Sequence, residues 1–195
     1  MGTRDAEPVF QSIGRLVSSG TIDAERFEVS LVGNVWLGER TIELGPVRVS
    51  ETGYVDHSRA VHEMRTATAL LLYAPGNTWA PSGKIFEYLV SGRPILAIAR
   101  RDNLAVEMVD ELRAGATAQP DDPDGIDRAV TELYRRWEAG TLEIGPDVRD
   151  RTLARFSRRR LTGDLARVLE TTLVGHFKGP VRIPTLLRGA HKDVM

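Results

Sequence analysis

Thr68-Ala-Leu-Leu-Leu-Tyr-Ala-Pro-Gly-Asn-Thr-Trp-Ala-Pro-Ser-Gly-Lys-Ile-Phe-Glu-Tyr-Leu-Val-Ser-Gly-Arg-Pro-Ile-Leu-Ala-Ile98 is the stretch on which the fold turns. Thr68–Ala74 is a continuous apolar run closed by Pro75-Gly76, the pattern of a strand buried on both faces. A loop rich in turn residues, Pro75 to Gly83, leads into a helix from about Lys84 to Val90, stopped by Ser91-Gly92. Pro94–Ile98 is a second short buried strand. Strand, helix, strand at these lengths is a βαβ unit, and the flanking sequence repeats it. Upstream, Phe10, Ile13, Leu16 and Val17 share a helical face, predicting a helix over Glu7–Ser18 with Pro8 in its first turn and Gly20 as its stop. Phe27–Val35 and Val47–Ser50 read as strands, Gly53–Val55 as a short one, and Asp56 as the N-cap of a helix over His57–Arg65. Downstream, Leu104, Met108, Val109 and Leu112 mark a helix ended by Ala114-Gly115, and Ala116–Ala118 a short strand. Asp122-Pro123-Asp124 opens a helix striped by Ile126, Val130, Leu133 and Trp137. The alternation predicts an α/β fold: a Rossmann-like parallel sheet with flanking helices.

The 195 residues suffice for one ordinary domain, and 42% hydrophobic with 27% charged residues is a globular balance. A net charge of −1 gives no bulk attraction to nucleic acid or to a membrane. The absence of cysteine excludes disulfides and thiolate metal sites, and His57 and His62 are not spaced as an i,i+4 ligand pair, so no metal site is expected. Met1–Asp5 lacks the basic-then-apolar order of a signal peptide and Ala67–Ala74 is too short to span a bilayer, so the protein reads as cytoplasmic. Residues 1–145 are expected to form the binding domain, 146–175 one or two helices packed on it, and 176–195 an irregular tail.

In a parallel α/β sheet a ligand sits beyond the carboxyl ends of the strands. The informative loops are those around Gly33-Asn34, Asp56-His57, Pro75–Gly83 and Arg100–Asn103. Ser82 and Gly83 stand where a helix begins, with backbone N–H groups and the positive end of the dipole, and Lys84 adds a full charge: a phosphate binds well there. Glu87 falls on the same side by i,i+3 and i,i+4 spacing and can accept two hydrogen bonds from a ribose diol. Phosphate site and diol acceptor together describe a nucleoside diphosphate. The same residues also read as an exposed i,i+3 Lys84–Glu87 pair on a surface helix.

Gly53–Arg65, Ala69–Ala74 and Pro81–Leu96, with the Lys-x-x-Glu-Tyr-Leu-x-x-Gly-x-Pro-Ile pattern of Lys84–Ile95, resemble the C-terminal domain of retaining GT-B glycosyltransferases. The resemblance extends over roughly residues 4–140. It implies a single GT-B half-domain that binds a sugar nucleotide donor and uses no cofactor. Glu87 would match the ribose-binding glutamate, Lys84 a residue near the diphosphate, and Ser82 and Gly83 backbone contacts to phosphate. Tyr54 and Val55 would lie beside the base. Many members carry an acid eight positions before that glutamate; here the position is Trp79, a stacking platform or a hydrophobic anchor for the loop. His57 reads as a donor-facing or a capping residue. Arg100 and Arg101 read as phosphate contacts or a surface pair, and Arg158–Arg160 as a solvated face or a contact to lipid or a partner.

The resembling enzymes bind acceptor in an N-terminal domain, so this chain alone is expected to be inactive. A missing acceptor domain, a partner chain or a second copy would complete it. A non-catalytic nucleotide-sugar module or an epimerase-like fragment are the competing functions. The resembling domain also opens with a central strand that has no counterpart before Arg4. Its neighbours would then have unpaired edges, with the slot open to Val181–Leu187, a second copy or a partner.

Overall fold

The structure, a computed structural model, describes residues 6–34, 44–76 and 83–176. Within them strands and helices alternate as α1 (Glu7–Ser18), β1 (Glu28–Leu31), β2 (Arg48–Glu51), α2 (His57–Thr66), β3 (Leu70–Ala74), α3 (Lys84–Ser91), β4 (Ile95–Ala99), α4 (Leu104–Leu112), β5 (Gly115–Ala118), α5 (Pro123–Glu138), α6 (Val148–Phe156) and α7 (Arg158–His176). The fold is α/β with parallel pairing throughout the strands. The chain divides into two compact units, Met1–Leu153 and Ala154–Met195. Among the described residues no helix is long and apolar enough to cross a membrane.

In the first unit the sheet is in two pieces: β1 pairs with β2, and β3, β4 and β5 pair in that order. One helix layer covers both. Val9, Ile13 and Leu16 of α1 and Ile126, Ala129, Val130, Leu133 and Tyr134 of α5 pack on Leu96, Ile98 and Ala116, and the half-buried Val29, Val49, Leu71 and Tyr73 join the same cluster. Residues of alternate parity point to the opposite face. There α3 lies on β3, and α4 on β4 and β5, with Ile85, Leu89, Ala105 and Val109 all fully buried.

Chain handedness orders the pieces. Strand-to-strand crossovers in parallel sheets are right-handed in nearly every known case. α2 lies beside α3, so the β2–α2–β3 crossover uses the α3/α4 face and steps in the same direction as β3–α3–β4. The return from β1 to β2 brings Leu44 and Val47 into the α1/α5 cluster, on the other face, so it steps the opposite way. The handedness rule therefore orders them β2, β1, β3, β4, β5, with every carboxyl end on one edge, and among the described residues no ladder joins β1 to β3.

Several elements depart from expectation. β3 is not buried on both faces: Leu71, Tyr73 and Ala74 are only half-buried, whereas every residue of β4 is buried. The difference is position, since among the described residues β4 has a strand on each side and β3 on one side. Gly53–Val55 is not a strand; Gly53 has φ of 64° and makes a single antiparallel bridge to Gly33, itself at φ of 96°. Positive φ at both positions ends the ladder, so the first strand is also shorter than Phe27–Val35. Val35 and residues 177–195, including Val181–Leu187, lie outside the described residues. Ala114-Gly115 does not end α4. Arg113 takes the left-handed cap at φ of 50°, and Gly115 opens β5 opposite Ile95. The second unit holds the end of α6 and α7, along which Leu161, Leu165, Val168 and Leu169 form an exposed stripe.

Candidate functional site

Three places on the carboxyl edge of the strands carry the candidate residues. At the first, α3 begins on Gly83, which adopts helical dihedrals and offers no side-chain cap. The N–H groups and the dipole of a helix N-terminus suit an anion. Ile85 and Leu89, both at 0% exposure, clamp the helix to the sheet, and Gly92 at φ of 78° closes it. The Arg93 guanidinium donates to the Arg65 carbonyl at 2.6 Å, tying the end of α2 to the turn after α3. Ile85 and Leu89 face inward, which turns Lys84 and Glu87 to solvent. Glu87 makes no hydrogen bond or ion pair among the described residues, so the surface Lys84–Glu87 pair is not formed. Burial pushes the phenol of neighbouring Tyr88 above its ordinary value, and the Glu87 charge pushes it further. Ser82 and Trp79 lie outside the described residues.

The second loop joins β2 to α2. The Thr52 hydroxyl accepts from the Gly33 N–H at 3.1 Å and donates to the Gly53 carbonyl at 3.0 Å, pinning the chain after β1 to the chain after β2. This clasp presents Tyr54 at 82% exposure, with Val55 half-buried beside it. Asp56 caps α2 as expected, accepting from the Arg59 N–H at 2.8 Å and the Ser58 hydroxyl at 2.7 Å. Those two bonds hold its carboxyl below the usual aspartate range. His57 is the exposed first residue of α2. Nothing in the spacing of Gly33, Thr52 and Gly53 announced the clasp, although a glycine following each of two adjacent strands is the signal that was there to read.

The third loop follows β4. Arg100 pairs with Asp102 at 3.4 Å and Arg101 is exposed, while buried Asn103 caps α4 by accepting from the Ala105 N–H at 2.9 Å. Arg100 and Arg101 are thus both surface residues, with Arg100 in an ion pair with Asp102. The adjacent helices α2 and α3 both start on this edge. The fold therefore brings Gly83, Lys84 and Glu87 onto one helical turn and sets Tyr54 and Val55 on the loop that opens the neighbouring helix. An anion at the α3 terminus, a hydroxyl donor at Glu87 and a flat ring at Tyr54 are the contacts the arrangement can make. The open depression lined by Asp127, Arg128, Thr131, Glu132, Arg135 and Arg136 is on α5, in the helix layer and not on the strand-end edge. No protein-family model matches the chain and no curated protein is similar to it, so the chemistry of this edge is read from its own residues.

Proposed function

We propose that the first unit binds a nucleoside diphosphate at the α3 terminus and serves as the donor-binding domain of a sugar-nucleotide-dependent transferase, the GT-B type that its sequence resembles. The observation that supports this best is Glu87. It is an exposed carboxylate with no protein partner among the described residues, one turn into a helix that starts at the carboxyl edge of a parallel sheet. A surface glutamate can stay solvated at little cost, but here it stands beside a helix N-terminus and a lysine, the places that the resemblance gives to ribose and diphosphate. Tyr54, presented by the Thr52 clasp, is set to lie along the base. Transfer also requires an acceptor surface, which we assign to polypeptide beyond the described residues, whether a further domain, a partner chain or a second copy.

Calorimetric titration with UDP, GDP, dTDP and ADP and their sugar conjugates tests the reading. One base family should bind, and the diphosphate should bind more tightly than the nucleoside. No binding to any of them would overturn it. Binding without sugar transfer, even with candidate acceptor-domain partners added, would leave a nucleotide-binding module without catalysis.

A further inference from the structure

We infer that α7 seats its apolar stripe on an anionic membrane surface, lying along the headgroup layer and not crossing it. This role involves the second unit alone and is independent of the nucleotide reading.

The net charge of −1 hides a division within the chain. With histidine neutral, Ala154–Met195 holds nine Lys/Arg and three Asp/Glu, a net +6. Met1–Leu153 holds seventeen and twenty-four, a net −7. An asymmetry of that size within one chain suits the basic part to a polyanionic surface. Charge alone does not separate a lipid surface from a nucleic acid, but the stripe does. Leu161, Leu165, Val168 and Leu169 recur at i, i+4, i+7 and i+8, within about 100° of the helix circumference. They are 50–62% exposed, and from Arg158 to Thr172 no residue of α7 is buried. A nucleic-acid backbone gives such a stripe nothing to bury against, whereas the acyl boundary beneath a headgroup layer does.

The charges are arranged to match. Asp164 pairs with Arg160 at 3.2 Å and also with Arg167, and all three are on the side of the helix turned away from Leu165. Arg158 lies on the stripe's own line, three, seven and eleven residues before Leu161, Leu165 and Leu169. Arg158 and Arg159 are exposed and make no ion pair among the described residues. In a protein groove Arg158 would go under with the leucines and would need a buried acid beside it. At a lipid surface its aliphatic stem lies among the acyl chains and its guanidinium reaches a headgroup phosphate. A second copy would bring +6 to meet +6. Residues 177–195 carry four Lys/Arg and one Asp, a like charge that repels α7 and is itself drawn to the same anionic surface.

The test is flotation of the full chain with vesicles of phosphatidylcholine and phosphatidylglycerol, two to one, against vesicles of phosphatidylcholine alone. At low salt the chain should float with the first and stay in solution with the second. Added salt should weaken the flotation, because attraction to an anionic surface is screened. An arginine near such a surface contributes about fivefold to the partition, so the double variant Arg158→Gln, Arg159→Gln should lower it by about twentyfold. Leu165→Ser should lower it by about tenfold or more. Both variants should keep the parent melting temperature, because the side chains they change are exposed. No flotation with the anionic vesicles at low salt, or equal flotation with the neutral ones, would overturn the proposal. So would an unchanged partition of Leu165→Ser, which would leave a polyanion site without acyl contact. A melting temperature lowered by Leu165→Ser would overturn it by showing that the polypeptide itself covers the stripe. A dimer of the parent that the same variant dissociates would overturn it by making a second copy the occupant.

Discussion

Replacing Glu87 by alanine separates a ligand contact from a structural one. The side chain is exposed, has no hydrogen bond or ion pair among the described residues, and sits opposite the buried Ile85–Leu89 face of α3. Its removal costs the folded protein no contact, and alanine is the better helix former, so the unfolding free energy should change by no more than about 0.5 kcal/mol. In the complex the carboxylate would accept ribose hydroxyls. Hydrogen bonds to a charged group are worth ~1.5–3 kcal/mol. At ~1.4 kcal/mol per decade, the nucleoside diphosphate should bind about ten- to hundred-fold more weakly. Titration calorimetry reads the affinity and thermal unfolding reads the stability. A third measurement ties the loss to the ribose: a 2′,3′-dideoxy nucleoside diphosphate should bind parent and variant alike, because the group that Glu87 recognises is gone from the ligand. Equal affinity of parent and variant for the intact nucleotide would refute the ribose assignment. A loss that persists with the dideoxy analogue would show that Glu87 acts through the helix and not through the sugar.

Lys84→Met should weaken the diphosphate and spare the bare nucleoside, because the lysine acts as a charge beside the phosphates; equal weakening of both in the same calorimetric titration would make its role structural. Gly115→Ala should destabilise the protein at or above the ~1–3 kcal/mol usual for overpacking, as a chemical-denaturation curve will show. A Cβ there falls on the Ile95 carbonyl oxygen and lies 2.6 Å from the Ile95 nitrogen, both rigid backbone in the adjoining strand. The Arg15–Asp127 pair, bonded at 2.7 and 3.2 Å between α1 and α5, should make stability weakly acid-sensitive. Burial raises the Asp127 carboxyl, but the hydrogen bonds from Arg15 and Ser12 and the Arg15 charge together outweigh it, so the net shift is downward. A lowered folded-state pKa gives stability that is present above the ordinary aspartate range, ~3.9, and is lost as pH falls through it. With the two side chains 46% and 27% exposed, the contribution should stay below about 1 kcal/mol. Asp127→Asn should accordingly lose less stability than the parent between pH 7 and pH 3, and parallel losses would count against the pair.

The two halves of the candidate edge were legible to different degrees. Glu87, Lys84 and Gly83 could be placed together because their relation is a matter of helical spacing, which is local. Tyr54 was singled out through resemblance, and its exposure follows from the Thr52 clasp, which joins residues nineteen apart. No periodicity encodes such a bond. Whether Lys84 and Glu87 would pair with each other was likewise open, since i,i+3 spacing permits the contact without requiring it, and in the structure the two do not pair with each other.

By itself the sequence determined the class of fold and most helix limits. α1 covers the predicted Glu7–Ser18, and α5 begins at the predicted Asp122-Pro123 start, because caps, proline at the first turn and the 3.6-residue stripe act within a few residues of one another. Strand partners are chosen across tens of residues, and there tertiary structure decided. The apolar run ending at Ala74 reads the same whether it has one neighbour or two; only the fold shows that β3 bonds to β4 through Leu70 and Leu72 and turns the backbone groups of Leu71 away from it. Gly115 looked like the end of a helix and proved to be the point where two strands come too close for a side chain, a distance set by the register of β4 against β5 and by no feature of the residues next to it.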